Sequence, residues 1–293
     1  MGQENFMSDI KKPFSVWLLV ERNLTGTENQ LAAVAEALSR IFPDISVQWK
    51  KIERGSWFMP RLETGFFWEN DSKKPDLVIA AGNLSVLPAL MLKNRGVKVA
   101  YIQDPRWPWR SRFDRIYAPH HDAISGDNVM ATDGSPTRVR EFIDPAETGT
   151  SALIIGGGRK GKQGVLDLNA LPTAQRWLVS FSRRTPDTIK QQVRTALPEA
   201  TIYDPAQGGE NPYLDFLRRA DTIYVTDDSA SMISDACSTG RRVSIVPFLR
   251  PTGRLQRLAD HLRSIGAVDA QNPVSLKDAD RVANDIAGTL LTR

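Results

Sequence analysis

Two adjacent arginines flanked by hydroxyl side chains are suited to bind a diphosphate. They lie in SFSRRTP, residues 180–186, where a short apolar run ends in a basic turn. Arginine binds phosphate oxygens through paired, forked hydrogen bonds. We therefore expect the phosphates of a nucleotide to be held by Ser182, Arg183, Arg184 and Thr185. A solvated surface turn is the alternative interpretation.

A second segment, residues 223–248, predicts an anion site at the start of a helix. It reads as a strand, a turn, a helix of small residues and then Gly240. Free backbone N–H groups and the helix dipole favour a phosphate at such a helix start. One turn into the helix, the carboxylate of Asp235 is placed to accept hydrogen bonds from a sugar diol. The expected nucleotide-sugar contacts are Thr226, Asp228, Ser229, Ser231, Met232 and Asp235. A capped, tightly packed helix without a ligand stays open as the alternative.

A glycine cluster, GGGRKGK at residues 156–162, is the third phosphate candidate. It matches neither the G-x-x-x-x-G-K-[ST] phosphate loop nor the G-x-G-x-x-G dinucleotide fingerprint. We expect a flexible loop that faces phosphate near Gly157. A flexible connection within the lobe is the alternative.

Polar residues in the first half of the chain are suited to bind an acceptor and to move a proton. His121, in HHD, stands beside a carboxylate, so we expect a pKa near the working pH and a role as general base. Asp104, in IQDPR, is the second candidate for that role. The residues expected on the acceptor side are Gly26, Glu28, Asn29, Gly82 and Arg106. A capped helix start, an ion-paired turn and a structural histidine are the corresponding alternatives.

Aromatic side chains form two groups outside the predicted strands. The first spans residues 57–68, and the second places Trp107 and Trp109 among arginines. Tryptophan beside arginine is typical of a membrane interface or of a site for a lipid-linked acceptor. Ordinary loop packing is the alternative.

The composition restricts the class of protein. Of 293 residues, 41% are hydrophobic and 25% are charged, as in soluble globular chains. The apolar runs are a few residues long, whereas a membrane-spanning helix needs roughly 20, and the N-terminus lacks a signal-peptide core. The net charge of +4 is too small to indicate nucleic-acid binding. A single cysteine, Cys237, and the absence of a histidine–carboxylate cluster predict a reducing, cytoplasmic compartment and no metal site.

The elements that must position these residues alternate between strands and helices. The alternation stops at a Pro/Gly/Thr-rich stretch, residues 145–150, and then starts again. This pattern predicts an α/β fold of two doubly wound, Rossmann-like lobes with a cleft between them. We place the acceptor lobe at residues 1–147, the nucleotide-sugar lobe at 148–273, and a C-terminal helix that packs back on the first lobe at 274–293. Ligands of open α/β sheets bind beyond the carboxyl ends of the strands, so the cleft is the expected site.

Several of these segments together resemble a known family. They are TGTENQ, VIAAG, IQDPR, PHHD, IIGGG, SRRTP and VPF, together with the long run GGENPYLDFLRRADTIYVTDDSASMISDACSTGRRV. Over residues 15–270 the chain is similar to the Elongated-Mitochondria-type mitochondrial fission family, in a bacterial-like form. Asp235 stands where that family usually has glutamate.

The resemblance implies a fold similar to GT-B glycosyltransferases, whose second lobe holds a nucleotide diphosphate sugar without a bound metal. It adds Asn211, Pro212 and Tyr213 to the expected nucleotide-sugar contacts. Plant members are organelle-division factors that recruit a dynamin-like protein, so a protein partner is the corresponding expectation for a non-catalytic role.

We therefore expect a metal-independent, GT-B-like glycosyltransferase that needs no cofactor and uses a nucleotide diphosphate sugar. Its acceptor would be membrane-associated or part of the cell envelope, with the protein cytoplasmic and peripheral on the cytoplasmic face of a membrane. The alternative is a non-catalytic interaction protein that keeps the GT-B shape. An epimerase or hydrolase of nucleotide sugars is a third hypothesis.

Overall fold

The structure, a computed structural model, describes residues 13–53, 61–62, 74–158, 164–248 and 253–291. The aromatic group at residues 57–68, apart from the backbone of 61–62, lies outside this part of the chain. So do the three cations of the glycine cluster, at residues 159–162. The proposals for these two segments therefore stay predictions.

The first lobe is built on a seven-stranded sheet with the strand order β3-β2-β1-β4-β5-β6-β7. Neighbouring strands are parallel except β3, which is antiparallel to β2. The strands are β1 (Ser15–Glu21), β2 (Ser46–Glu53), β3 (Arg61–Leu62), β4 (Leu77–Ala81), β5 (Lys98–Ile102), β6 (Arg115–Pro119) and β7 (Val129–Thr132). The helices α1 (Thr25–Ile41) and α2 (Val86–Lys93) follow β1 and β4.

The second lobe is built on a five-stranded parallel sheet with the order β10-β9-β8-β11-β12. Its strands are β8 (Glu147–Ile155), β9 (Arg176–Phe181), β10 (Thr201–Tyr203), β11 (Ala220–Thr226) and β12 (Arg242–Val246). The remaining helices are α3 (Asp187–Ala196), α4 (Tyr213–Arg219), α5 (Ala230–Cys237), α6 (Arg254–Ser264) and α7 (Asp278–Thr289). The prediction of two Rossmann-like α/β lobes is therefore confirmed. The boundaries at 147/148 and 273/274 stay predictions.

Strand β1 shows why the sequence folds into layers. Val16, Leu18 and Val20 are buried in one cluster with α1, whereas Trp17 and Leu19 are buried in a second cluster with α2. Side chains alternate between the two faces of a strand, so a continuous apolar run predicts a strand covered on both sides. Burial of each such side chain contributes about 1.5–3 kcal/mol.

Helix α7 packs against α1 in the first lobe. Val282, Ala283 and Ile286 are fully buried in the same cluster as α1 and β1. Asp285 accepts hydrogen bonds from Arg115 at 2.7 and 2.8 Å and from the Tyr117 hydroxyl at 2.7 Å. The chain thus returns to the first lobe after it has built the second.

The chain turns after strand β6. The strand ends at Pro119, because proline has no N–H to continue the ladder. A 3-10 turn, His120–Asp122, follows and ends at Ala123 in the left-handed conformation (φ 53°). Strand β7 and helix α6 were not predicted from the sequence. His261 of α6 lies against Asp133, which follows β7, and Arg257 of α6 binds the His121 carbonyl.

Candidate functional site

The carboxyl ends of the two sheets meet at a cleft, and side chains of both lobes touch there. Arg183, after β9, donates a hydrogen bond from Nη2 to the Thr25 hydroxyl at the start of α1, at 3.2 Å. A Cβ atom added at Gly26 would lie 3.7 Å from Oγ of Ser231 at the start of α5. The amino ends of two helices, one from each lobe, therefore face each other across the cleft.

A side chain caps the amino end of α5. Ser229 has extended backbone (φ −137°, ψ 105°), and its hydroxyl accepts a hydrogen bond from the Met232 N–H at 3.4 Å. The Met232 side chain packs on the core of the second lobe. Ser231 is partly buried and directed toward Gly26. Only part of the segment expected to bind the nucleotide is therefore directed into the cleft.

Asp228 and Thr226 fix the glycine loop. The Thr226 hydroxyl donates to Asp228 Oδ1 at 2.6 Å and accepts the Gly156 N–H at 2.8 Å. Asp228 Oδ2 accepts the Gly158 N–H at 2.7 Å. These hydrogen bonds position the loop after β8. The side chains of Thr226 and Asp228, which were predicted as ligand contacts, are therefore bonded within the protein.

The turn after β9 combines a buried hydroxyl with two exposed arginines. The Thr185 hydroxyl lies 2.9 Å from the Gly156 carbonyl and accepts the Ser182 N–H at 2.9 Å. A Cβ atom at Gly157 would stand 2.2 Å from Cβ of Arg184, so only glycine allows these two loops to approach this closely. Among the described residues, the Arg184 guanidinium meets no carboxylate. Its charge is thus available to an anion.

Asp235 has partners other than those expected. Its carboxylate accepts hydrogen bonds from the Thr137 hydroxyl and, at 3.1 Å, from the Tyr213 hydroxyl. Burial raises the pKa of Asp235 to about 6, although the two hydroxyls act in the opposite direction. Asn211 and Pro212 start the helix that carries Tyr213, since Oδ1 of Asn211 accepts the Tyr213 N–H at 3.1 Å. The sugar-diol role of Asp235 stays a prediction, and a ribose would have to replace one of these hydroxyls.

The first lobe carries a cavity of about 570 Å³ at its edge of the cleft. Its charged lining consists of Glu21, Asp104, Arg106, Asp122, Arg254 and Arg257. In each of the segments that follow four neighbouring strands at this edge, one residue has left-handed backbone: Asn23 (φ 67°), Gly82 (φ 87°), Gln103 (φ 78°) and Ala123 (φ 53°). Such conformations are strained and persist only where the surrounding structure holds them in place. They occur most often at functional sites.

The other residues expected on the acceptor side are distributed around this cavity. Gly82 and Arg106 line it, and Arg106 is exposed. Glu28 lies in the first turn of α1, 3.5 Å from Lys51, and the neighbouring Asn29 is exposed. Glu28, Asn29 and Gly26 lie outside the lining of the cavity.

The two candidate bases are poorly suited to accept a proton. Arg110 binds both oxygens of Asp104, at 2.8 and 2.6 Å, and this ion pair lowers the pKa of Asp104. His121 is 98% buried, since only 2% of it is exposed. Burial and the nearby Arg254 and Arg257 lower the pKa of His121 to about 4. The expectation of a pKa near the working pH is therefore wrong.

Helix α6 carries side chains at the contact between the lobes that were not predicted from the sequence. Arg254 forms an ion pair with Asp122, and His261 Nε2 lies 2.9 Å from Asp133. The spacing of Leu255, Leu258 and Leu262 by three and four residues is a helix signal in this segment. It could have located the helix, but not its partners in the first lobe.

Within the described residues, no three His, Cys, Asp or Glu side chains form a group able to hold a metal ion. A separate search of the same residues finds no helix with the length and apolarity needed to span a membrane.

Solved structures share this architecture. MurG of Acinetobacter baumannii has a TM-score of 0.52 at 14% identity, with 96% of this chain and 91% of that chain covered. UDP-GlcNAc 2-epimerase of Neisseria meningitidis, solved with UDP-GlcNAc bound, has a TM-score of 0.51 at 12% identity, with 94% and 92% covered. These likenesses define the class as a GT-B fold of two Rossmann-like lobes.

A model of the Mitochondrial fission ELM1 family matches residues 25–290, so the chain belongs to that family. The chain is 25% identical to Rickettsia prowazekii RP120 in an alignment that covers 79% of this chain and 82% of that protein. It is also 25% identical to the Arabidopsis thaliana mitochondrial fission protein ELM1, over 66% of this chain and 56% of the plant protein. The resemblance found from the sequence motifs is therefore confirmed.

Proposed function

We propose that this protein is a glycosyltransferase of the GT-B type that binds a nucleotide diphosphate sugar in the cleft between its lobes. The observation that carries the proposal is the pair Arg183 and Arg184, exposed at the carboxyl end of β9. Arg183 already reaches across the cleft to Thr25. A diphosphate placed there would contact cations from the second lobe and helix starts from both lobes.

The arrangement supports the departure of a diphosphate. Negative charge grows on the leaving phosphate as the bond to the sugar breaks, and preorganised donors that face this charge lower the barrier. Arg184, which Gly157 holds close to the glycine loop, would supply positive charge. The capped start of α5 at Ser229 would supply backbone N–H groups.

Uridine diphosphate sugars are the first choice of donor. The epimerase of similar fold was solved with UDP-GlcNAc bound, and a GT-B fold places the nucleotide on the second lobe. A shared fold is compatible with many activities, so the donor has to be identified by binding.

A thermal-shift screen of uridine, guanosine, cytidine, adenosine and thymidine nucleotides and their sugars tests the proposal. A ligand at 100 times its dissociation constant adds about 2.7 kcal/mol, which should raise the melting temperature by about 5–10 °C. Loss of one charge-assisted contact costs about 1.5–3 kcal/mol, so Arg184→Ala should weaken binding about 10-fold to 100-fold. No shift of the folded protein with any series would refute the proposal.

Arg176→Ala is the matched control for Arg184→Ala. Arg176 starts the same strand β9 but pairs with Glu147 at 2.9 Å, at the opposite end of the sheet. It should bind the nucleotide as the parent protein does. If both variants bound the nucleotide equally weakly, the effect of Arg184→Ala would come from a change in the fold and not from a lost contact with the ligand.

An exposed aromatic side chain favours a second role, in binding to a membrane surface or to a protein partner. Trp107 is 83% exposed and stands beside the exposed Arg106. An exposed tryptophan with a neighbouring arginine suits a lipid interface on the cytoplasmic side or a lipid-linked acceptor. The same surface would serve a non-catalytic interaction protein that keeps the GT-B shape.

A further inference from the structure

Three carboxylates line the cavity of the first lobe, and two of them are neutralised by arginines. Asp104 binds Arg110 through both oxygens, and it also accepts the Arg106 N–H at 2.8 Å. Asp122 forms an ion pair with Arg254. The pair with Arg110 lowers the pKa of Asp104, which makes it a weak proton acceptor. Burial raises the pKa of Asp122, but its buried side chain is occupied by the ion pair with Arg254.

The third carboxylate, Glu21, differs from these two. It is the last residue of β1 and is half-buried in the wall of the cavity. Among the described residues, no hydrogen-bond donor or cation contacts its side chain. Among the described residues, Glu21 is thus a cavity carboxylate without a paired cation, whereas Asp104 and Asp122 each form an ion pair with an arginine.

Glu21 is held in place by the sheet. Strand β1 lies between β2 and β4, and Glu21 pairs in register with Ile52. A side chain mounted on a central strand is positioned more accurately than one on a loop. The reacting groups could therefore meet it in a defined geometry.

Gly82 keeps the space above Glu21 open. A Cβ atom at Gly82 would lie 3.7 Å from Cβ of Glu21 and 3.4 Å from Cδ1 of Leu24. Gly82 also has a left-handed backbone (φ 87°) that other residues rarely adopt. Glycine at position 82 thus leaves the space next to Glu21 without a side chain, and both residues line the cavity.

We propose that Glu21 accepts the proton of the acceptor hydroxyl during glycosyl transfer, an assignment that rests on the proposed function. The hydroxyl oxygen forms a bond to C1 of the sugar while the bond from C1 to the phosphate oxygen breaks. The electron pair of the broken bond leaves with the diphosphate, toward Arg183 and Arg184. The hydroxyl proton passes to a carboxylate oxygen of Glu21. No other reactant is needed to balance the step.

His121 is not an equivalent base. Its Nε2 lies 3.4 Å from Nη2 of Arg254, which can act only as a hydrogen-bond donor, and the residue is buried. It lies outside the lining of the cavity. Glu21 is therefore the better candidate on both position and charge.

The test measures release of UDP from UDP-GlcNAc with water as the acceptor, or of the nucleotide from whichever sugar donor shifts the melting temperature most. Loss of a general base lowers the rate about 10²-fold to 10⁴-fold. We expect kcat of Glu21→Gln to fall by that factor, while KM for the donor changes less than about threefold and the donor-induced melting shift persists. Glu21→Asp should retain part of the rate.

Glu53→Gln is the matched control. It makes the same change at the end of the neighbouring strand β2, where the carboxylate pairs with Arg22 outside the cavity lining. Its kcat should equal that of the parent protein. A kcat of Glu21→Gln within about 10-fold of the parent value would overturn the assignment.

Two further outcomes separate this assignment from the proposed function. A parent protein that binds the donor but releases no nucleotide to water would overturn the role of Glu21 and leave the nucleotide site intact. A folded protein that binds no nucleotide would refute the proposed function itself, and the role of Glu21 with it.

Discussion

Arg257 of the second lobe donates two hydrogen bonds to the backbone carbonyl of His121 in the first lobe, at 3.1 Å from Nε and 2.9 Å from Nη2. The rings of His120 and His261 stack beside them, with centroids 4.2 Å apart. All three histidines of the chain therefore lie at this junction. Helix α6 thereby fixes the 3-10 turn that borders the first-lobe cavity.

His121 should make the folded protein sensitive to acid. Its pKa falls from 6.5 to about 4 on folding, so between those values the unfolded chain binds more protons and stability decreases as the pH falls. At 1.36 kcal/mol per unit, this amounts to about 2–4 kcal/mol between pH 7 and pH 4. We expect His121→Gln to lose this dependence while the Arg257 contact to the backbone remains.

Urea unfolding at about pH 7 and pH 4.5 checks this expectation, with the difference between parent and variant taken at each pH. His120→Gln is the control, because His120 is exposed at the same turn. A difference that is the same at both pH values would contradict the prediction.

Asp235 should make the folded protein more stable as the pH falls, which is opposite to the effect of His121 over a similar range of pH. Its pKa rises from 3.8 to about 6 on folding, so the folded state binds the extra proton. This contribution to stability is complete below about pH 3.8 and is lost as the pH rises to about 6. Asp235→Asn should therefore be more stable, relative to the parent, at pH 7 than at pH 4, because the amide carries no charge to bury.

The free energy of unfolding as a function of pH measures this effect. Asp260→Asn is the control, since its side chain is 59% exposed on α6. If Asp235→Asn follows the parent curve at every pH, the buried carboxylate has a normal pKa. In that case the hydrogen bonds from Thr137 and Tyr213 would offset the whole effect of burial on the pKa of Asp235.

The sequence predicts the layers well because they depend on local patterns. The apolar run of β1 indicates burial on both faces, and Ser229 is readable as a helix cap from its neighbours alone. The two arginines of SRRTP are found at a strand end, as expected.

The features that were missed depend on partners far away in the chain. The pKa of His121 is lowered first by burial and then by Arg254 and Arg257, which lie more than 130 residues later. Asp235 is engaged by Thr137, 98 residues earlier, across the junction of the lobes. No periodicity or motif encodes such contacts, because they arise only when the two lobes dock.

Gly157→Ala should disturb both the fold and the nucleotide site. The new Cβ would lie 2.2 Å from Cβ and 2.9 Å from the backbone carbon of Arg184, so one of the two loops must move. Overpacking of this kind costs about 1–3 kcal/mol, and the displaced Arg184 should bind nucleotide more weakly. Thermal melting and nucleotide titration measure the two effects.

Gly288→Ala provides the control for that change. Gly288 lies in α7, and a Cβ atom there meets nothing within 4 Å among the described residues. Alanine in a helix is favoured over glycine by about 1 kcal/mol, so this variant should be slightly more stable and bind nucleotide normally. A Gly157→Ala protein that behaves in the same way would show that the loops are not tightly packed.

Trp107 provides the test of a membrane role. It is 83% exposed, whereas Trp109 packs on the core of the first lobe, so replacing Trp107 alone leaves the fold intact. Burial of a large apolar side chain contributes about 1.5–3 kcal/mol, and Trp107→Ala should therefore weaken association with anionic lipid vesicles about 10-fold or more. Co-sedimentation measures this, with Trp49→Ala, a 41% exposed tryptophan on β2, as the control. Equal binding by the parent and both variants would place the membrane contact elsewhere, and no binding by the parent would exclude these vesicles as its surface.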